Sequence, residues 1–325
     1  MYWWILLFAI ILISFGNQNQ LFSADMPKDK NAPTNISIKN HIDEVTLFEE
    51  LFDDTNWTSR GWYDSPNMEI TSSEHIKGSK YSCVWHWKET GDIGVVGKGG
   101  RVLLKPVSSV IISFYIKHSS NWKWTGVNWH PHELHFITDV DSPYIGPAYT
   151  HLTLYIEVVN GKPRLAIQDG KNIDESRIGQ NLVGVTENRA VAGGNGDSDG
   201  YGKGDCYRAG NVYANGKYWE PDRVYFSDEP GQYYKGDWHH VNAKFRLNSV
   251  VNGIGIKDGI LQYWFDDKLI MDYHNVVFRT GQYPNMKINQ FLMAPYFGPG
   301  VPHEQWIWID DLRITTDETH AGDKE

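Results

Sequence analysis

The chain has 325 residues, two cysteines and a formal net charge of −10, from 30 Lys and Arg against 40 Asp and Glu. That excludes a disulfide-rich miniprotein and a multi-cysteine zinc module, and an acidic chain without a Lys/Arg block is a poor match for nucleic acid or an anionic membrane surface. Fourteen Trp, 18 Tyr and 13 Phe beside 31 Gly exclude intrinsic disorder and point to sheets joined by many turns.

Residues 1–24 read as a signal peptide or N-terminal anchor. Tyr2–Phe15 is apolar apart from Ser14. The run is shorter than the about 20 residues of a membrane span and fits the apolar region of a secretory signal. Ser14 and Gly16 suit cleavage after Gly16, whereas the lack of a preceding Lys or Arg keeps an uncleaved anchor open. Either reading predicts a secreted, periplasmic or cell-surface protein with no transmembrane segment beyond the N-terminal one. Residues 25–44 are polar, rich in Pro and Asn, and read as a linker. Residues 317–325 form a charged tail.

Between 45 and 316 the pattern is one of strands. Leu47–Phe52, Tyr81–Lys88, Val110–Lys117 and Glu133–Thr138 are candidates in chain order. In His151–Val158, Leu152, Leu154, Ile156 and Val158 share one face, while His151, Thr153, Tyr155 and Glu157 share the other. Trp238–Leu247 alternates likewise, with Val241, Ala243, Phe245 and Leu247 on the apolar face. Leu261–Asp266, Ile288–Phe297 and Trp306–Ile314 follow. Many antiparallel strands with one apolar face each predict an all-β, two-sheet jelly-roll sandwich. In an exported chain, Cys83 and Cys206 either form a bridge or stay buried as free thiols.

Three segments carry a resemblance: Gly236–Val241, Asp258–Asp267 and the closing Trp306-Ile-Trp-Ile-Asp-Asp-Leu-Arg-Ile314. Together with the opening Leu51–Trp57, they resemble the concanavalin-like, laminin-G-like jelly roll, most nearly its branch of alginate and glucuronan lyases. The tandem carboxylates of the laminarinase branch are absent, as are the Arg-x-Glu-Leu-Arg and Gln-x-His motifs of one alginate-lyase family. The resemblance implies a polysaccharide partner and β-elimination on a uronic-acid polymer. A non-catalytic glycan-binding or adhesive jelly roll is the alternative. A glycoside hydrolase ranks last, because only Glu133 and Glu157 offer an obvious carboxylate pair.

Elimination needs a group to neutralise the C6 carboxylate, a base for the C5 proton and an acid for the leaving O4. The densest cluster of suitable side chains is Trp122–Phe136, with His130, His132, Glu133 and His135. Strand alternation puts Glu133 and His135 on one face and His132 with Leu134 on the other. Tyr149, His151 and Tyr155 come from the next loop and strand. His135 or His151 is expected as base, Tyr149 or Tyr155 as acid, and Arg279 or Gln290 as neutraliser, all lining one open groove. Trp122, Trp124 and Trp129 are candidate sugar platforms, with Trp219 a further exposed candidate and His240 and Asn242 as further substrate contacts, whereas Trp264 and Trp306 are expected in the core.

The glycine-rich stretch 193–205 carries Asn195, Asp197 and Asp199 at alternate positions before Gly200, like the first half of a calcium loop. The closing Glu is absent, with Cys206 in its place and Asp205 just before it. A structural Ca2+ held by Asn195, Asp197, Asp199 and Asp205 is one expectation, and an ion-free Gly/Asp loop is the other.

Overall fold

The computed structural model describes residues 44–63, 66–94, 99–127, 132–138, 152–168, 217–279 and 284–318. Seventeen strands occur among them: β1 (Val45–Glu50), β2 (Trp62–Tyr63), β3 (Glu69–Thr71), β4 (Ser82–Trp87), β5 (Gly100–Val107), β6 (Ser109–His118), β7 (His132–Thr138), β8 (Leu152–Val159) and β9 (Lys162–Gln168). Then come β10 (Lys217–Trp219), β11 (His239–Arg246), β12 (Val250–Val251), β13 (Ile254–Gly255), β14 (Gly259–Phe265), β15 (Lys268–Val276), β16 (Ile288–Tyr296) and β17 (Gln305–Thr316). A single 3-10 turn, Trp57–Arg60, is the one helical element among the described residues.

Two antiparallel sheets result. The eight-stranded sheet runs β15-β14-β11-β6-β17-β4-β3, with β1 also paired to β17. The seven-stranded sheet runs β10-β9-β8-β7-β16-β5-β2. Their facing surfaces fuse into one apolar core: Leu134, Phe136, Leu154, Ile156 and Phe291 from the second sheet join Ile112, Phe114, Val241, Phe245 and Ile309 from the first. Period-2 alternation produces this, since each strand then puts its apolar set on one side. The fold is a jelly-roll sandwich.

Turn chemistry fixes the register of the hairpins. Asn160 and Gly161 join β8 to β9 with φ of 50° and 78°, and Asn252 and Gly253 join β12 to β13 with φ of 53° and 76°. Two positive φ values in a two-residue loop are those of a type I′ turn, for which Asn-Gly is the preferred sequence. Asp266 and Asp267 turn β14 into β15 in the same way.

Three long strands, β5, β9 and β15, lie outside the periodic segments read from the sequence. Pro106 and Pro163 interrupt the first two, and β15 slips register twice against β14; each blurs alternation. Cys83 is a buried free thiol, whose ionisation burial pushes well up. Cys206 lies outside the described residues.

The tryptophan assignments need correction. Trp122 is fully buried against Trp87, Phe297 and His118, not a sugar platform, and Trp219 is buried in the core beside Tyr273. Trp124 is half-buried against the same histidine. Trp264 is half-exposed, because Tyr263 and Phe265 take the inward phase of β14. Trp306 is likewise half-exposed and stacks on His86 at 4.7 Å.

Candidate functional site

The outer face of the seven-stranded sheet is built in rows. Where β5, β16, β7, β8 and β9 pair, Arg101, Leu292, His135, Tyr155 and Ala166 stand in register. Their chain neighbours Val102, Phe291, Leu134, Phe136, Leu154, Ile156, Leu165 and Ile167 belong to the core, so the row faces away from it. One row further along stand Gln290, Ile137 and Thr153.

His135 and Tyr155 are therefore cross-strand partners, with ring centroids 4.6 Å apart. His132 joins them: its ring lies 4.3 Å from Tyr155 and 6.0 Å from His135. Simple alternation puts His132 on the opposite face. The regular ladder stops short of His132: pairing with β8 ends at Leu134, the register against β16 slips between Met293 and Tyr296, and the His132 ring meets Tyr155 and Tyr296 instead of following the alternation. Its Nδ1 lies 2.6 Å from Glu157 Oε1.

Glu133 does not pair with His135. Its Oε2 accepts a hydrogen bond from Val158 N at 3.1 Å, and its Oε1 is buried without a partner. Burial, then the Glu157 charge, pushes the Glu133 carboxyl well up. Its charge also reaches Tyr263, a core residue of the opposite sheet. The acid-imidazole pair read from Glu133-Leu134-His135 is thus replaced by His132 with Glu157, a combination sequence spacing could not reveal because the two residues meet across strands.

Electrostatics keep His135 unprotonated. Burial, then His132 and Arg101, lowers its pKa well below the ordinary value. The ring is consequently neutral at neutral pH, and its Nε2 has no hydrogen-bond partner. Gln290 presents a matching donor: its Oε1 accepts from the Tyr63 hydroxyl at 3.0 Å, while its Nε2 is buried and unpartnered.

Among the described residues no open groove forms over this cluster. His135 is 6%, Tyr155 5% and Gln290 0% exposed, because the imidazole and phenol rings pack on one another. Half-exposed Leu292 and Tyr296 on β16 and Arg101 on β5 are where the cluster meets the surface.

Other expected donors fall elsewhere. Arg279 follows β15, and its Nε donates to Asn248 O at 2.8 Å while Nη1 donates to Met286 O at 2.8 Å and Pro284 O at 3.1 Å. That guanidinium clamps backbone carbonyls and is not a carboxylate neutraliser for His135. His240 and Asn242 are on β11 of the other sheet, on its outer face, so the sandwich separates them from His135. Trp129, Tyr149, His151 and the calcium candidates Asn195, Asp197, Asp199 and Asp205 lie outside the described residues. Among the described residues no group of three or more His, Cys, Asp or Glu could hold a metal ion, and no helix is long and apolar enough to cross a membrane.

No protein-family model matches the chain, and no curated protein matches it. Solved structures do. The chain is similar to an endo-beta-1,4-glucuronan lyase from the fungus Trichoderma reesei, at 13% identity over 84% of this chain and 96% of that one, with a TM-score of 0.48. It is similar to a marine PL-14 alginate lyase from Aplysia kurodai at 12% identity, over 84% and 99% of the two chains, with a TM-score of 0.48. An alginate lyase from Chlorella virus matches at 11% identity over 77% and 89%, again with a TM-score of 0.48. These are likenesses of fold.

Proposed function

We propose that this is an exported polysaccharide lyase that cleaves a uronic-acid-containing polymer by β-elimination. The observation that carries the reading is a neutral His135 with a free Nε2, packed on Tyr155 on the face that also holds the unpartnered Nε2 of Gln290. The sequence resemblance to the lyase branch points the same way, and Tyr2–Phe15 supports export.

Each group then has one task. Gln290 Nε2 donates to the C6 carboxylate of the bound uronate, which stabilises the negative charge that builds there when C5 loses its proton. His135 Nε2 takes that proton. The C5–H electron pair becomes the C4–C5 double bond, the C4–O4 bond breaks, and O4 leaves with a proton from the Tyr155 hydroxyl. His135 returns its proton to Tyr155 through solvent, so no water or cofactor is consumed. His132, held by Glu157, packs on Tyr155 and orients the phenol.

The test is to incubate the full chain with polyguluronate, polymannuronate, polyglucuronate and pectate and follow the ultraviolet absorbance of the unsaturated uronate. Growth of that absorbance with at least one polymer is expected. Its absence with all four overturns the proposal.

A further inference from the structure

The opposite side of the sandwich carries a second set of unused groups. On the outer face of the eight-stranded sheet, Ser113, Asn242, Trp264 and Leu269 form one row across β6, β11, β14 and β15. Ile111, Lys244, Gln262 and Asp272 form the next. A cavity of about 320 Å³ opens over these rows, lined by Asn242, Trp264, Gln262, Lys244 and the carboxylates of Glu44, Asp267 and Asp317. Its size falls within the range of small-ligand pockets.

Its chemistry is that of two amides and one indole. Asn242 is half-buried, and its side chain makes no hydrogen bond among the described residues. Gln262 uses its Nε2 on Asp272 at 2.7 Å, which leaves its carbonyl oxygen to accept. Trp264 is half-exposed and stacks on no other ring. A half-exposed indole between hydrogen-bonding amides matches a pyranose, whose C–H face stacks on the ring while its hydroxyls both donate and accept.

The charges select which sugar. Among the described residues Lys244 is the one cation lining the cavity, and Asp317 holds it at 2.5 Å. Asp267 is engaged by His240 and Glu44 by Thr315. A uronate entering here meets acidic groups with no free cation to offset them. We infer that this face is a second glycan site, separate from the His135 cluster, that binds neutral pyranose residues around Trp264, Asn242 and Gln262. A chain with both faces working would hold a mixed polymer by its neutral stretches while the far side handles uronate.

The experiment is native electrophoresis of the full chain in gels containing laminarin, hydroxyethyl cellulose, galactomannan or polyguluronate. Retardation by at least one neutral polymer is expected, with Trp264→Ala weakening it about tenfold, as loss of a stacking ring should. Asn242→Ala weakens it also, and His135→Ala leaves it unchanged, which separates this site from the lyase reading. Circular dichroism checks that each variant folds. Unretarded migration in all three neutral gels overturns the inference. So does retardation that survives both Trp264→Ala and Asn242→Ala, or Trp264-dependent retardation by polyguluronate alone.

Discussion

His135 and Tyr155 face each other across β7 and β8 with ring centroids 4.6 Å apart, which puts a neutral imidazole and a phenol on the same outer row of the seven-stranded sheet. Burial first, then His132 and Arg101, depresses the imidazole pKa. The base consequently stays unprotonated below the ordinary histidine value of about 6.5. The acid limb of kcat/KM is expected below that value, and Arg101→Gln, which removes a depressing charge, is expected to move it upward. An acid limb that ignores Arg101→Gln contradicts the electrostatic account. The pH–rate profile checks both.

Gln290 is expected to act on the substrate carboxylate. Gln290→Glu replaces the donor with a negative charge, and should lower kcat/KM by about 10²-fold or more, the scale of losing one charge-stabilising donor. Tyr63→Phe, which removes only the hydroxyl that holds Gln290 Oε1, should cost far less. Steady-state kinetics with a uronate oligomer distinguish the two, and equal losses would count against a direct contact.

How far the sequence carried the reading differs by level. The inward faces of β8 and β11 follow alternation: Leu152, Leu154, Val241 and Phe245 are all buried in the core. The site was only half legible. His135, Tyr155 and Gln290 share a face because β8, β7 and β16 are neighbours, and no local pattern encodes that order. His132 was misplaced because it stands beyond the last regular pair of β7 with β8, where alternation no longer decides which way a side chain turns. Arg279, Trp122 and Trp264 were misassigned because chemical type suggests a role, whereas phase and backbone partners decide it.

Two buried groups predict opposite pH effects on stability. His118 is fully buried among Trp122, Trp124 and Phe226, with both ring nitrogens unpartnered. Burial, then His239 and Lys235, lowers its pKa well below the ordinary value. The unfolded chain therefore takes up that proton first, so stability is full above about pH 6.5 and falls as pH drops toward the folded value. His118→Phe should raise the unfolding free energy by about 1 kcal/mol or more at neutral pH and flatten its decline between about pH 6.5 and 5. Glu133 has a raised folded pKa, so its contribution is full below about pH 4.3 and lost as pH rises through the folded value. Glu133→Gln should accordingly stabilise the protein at neutral pH. Urea unfolding across pH measures both, and a destabilised His118→Phe would refute the assignment.

Gly161 tests the β8–β9 turn. It has φ of 78°, and a Cβ there would lie 2.7 Å from Phe226 O, while its own carbonyl accepts from Tyr225 N and Phe226 N. Gly161→Ala should cost about 1–3 kcal/mol from left-handed strain and the clash together. A thermal midpoint equal to the parent's would show that the turn relaxes freely.

Calcium is proposed from the sequence, from the alternating Asn195, Asp197 and Asp199 with Asp205. The expected outcome is a higher thermal midpoint in calcium than in chelator, by the mass-action effect of a ligand that binds only the folded state. Asp197→Ala with Asp199→Ala should abolish the difference. Identical midpoints with and without chelator would leave an ion-free loop.

The most direct test of the central claim is the initial rate of unsaturated-uronate formation for the parent chain, His135→Ala and Tyr155→Phe, on whichever uronate polymer the parent cleaves. The account predicts that each variant folds, retains its affinity for the polymer and loses about 10²–10⁴ in kcat, the contribution of a positioned acid or base. A His135→Ala variant that eliminates at the parent rate would contradict it.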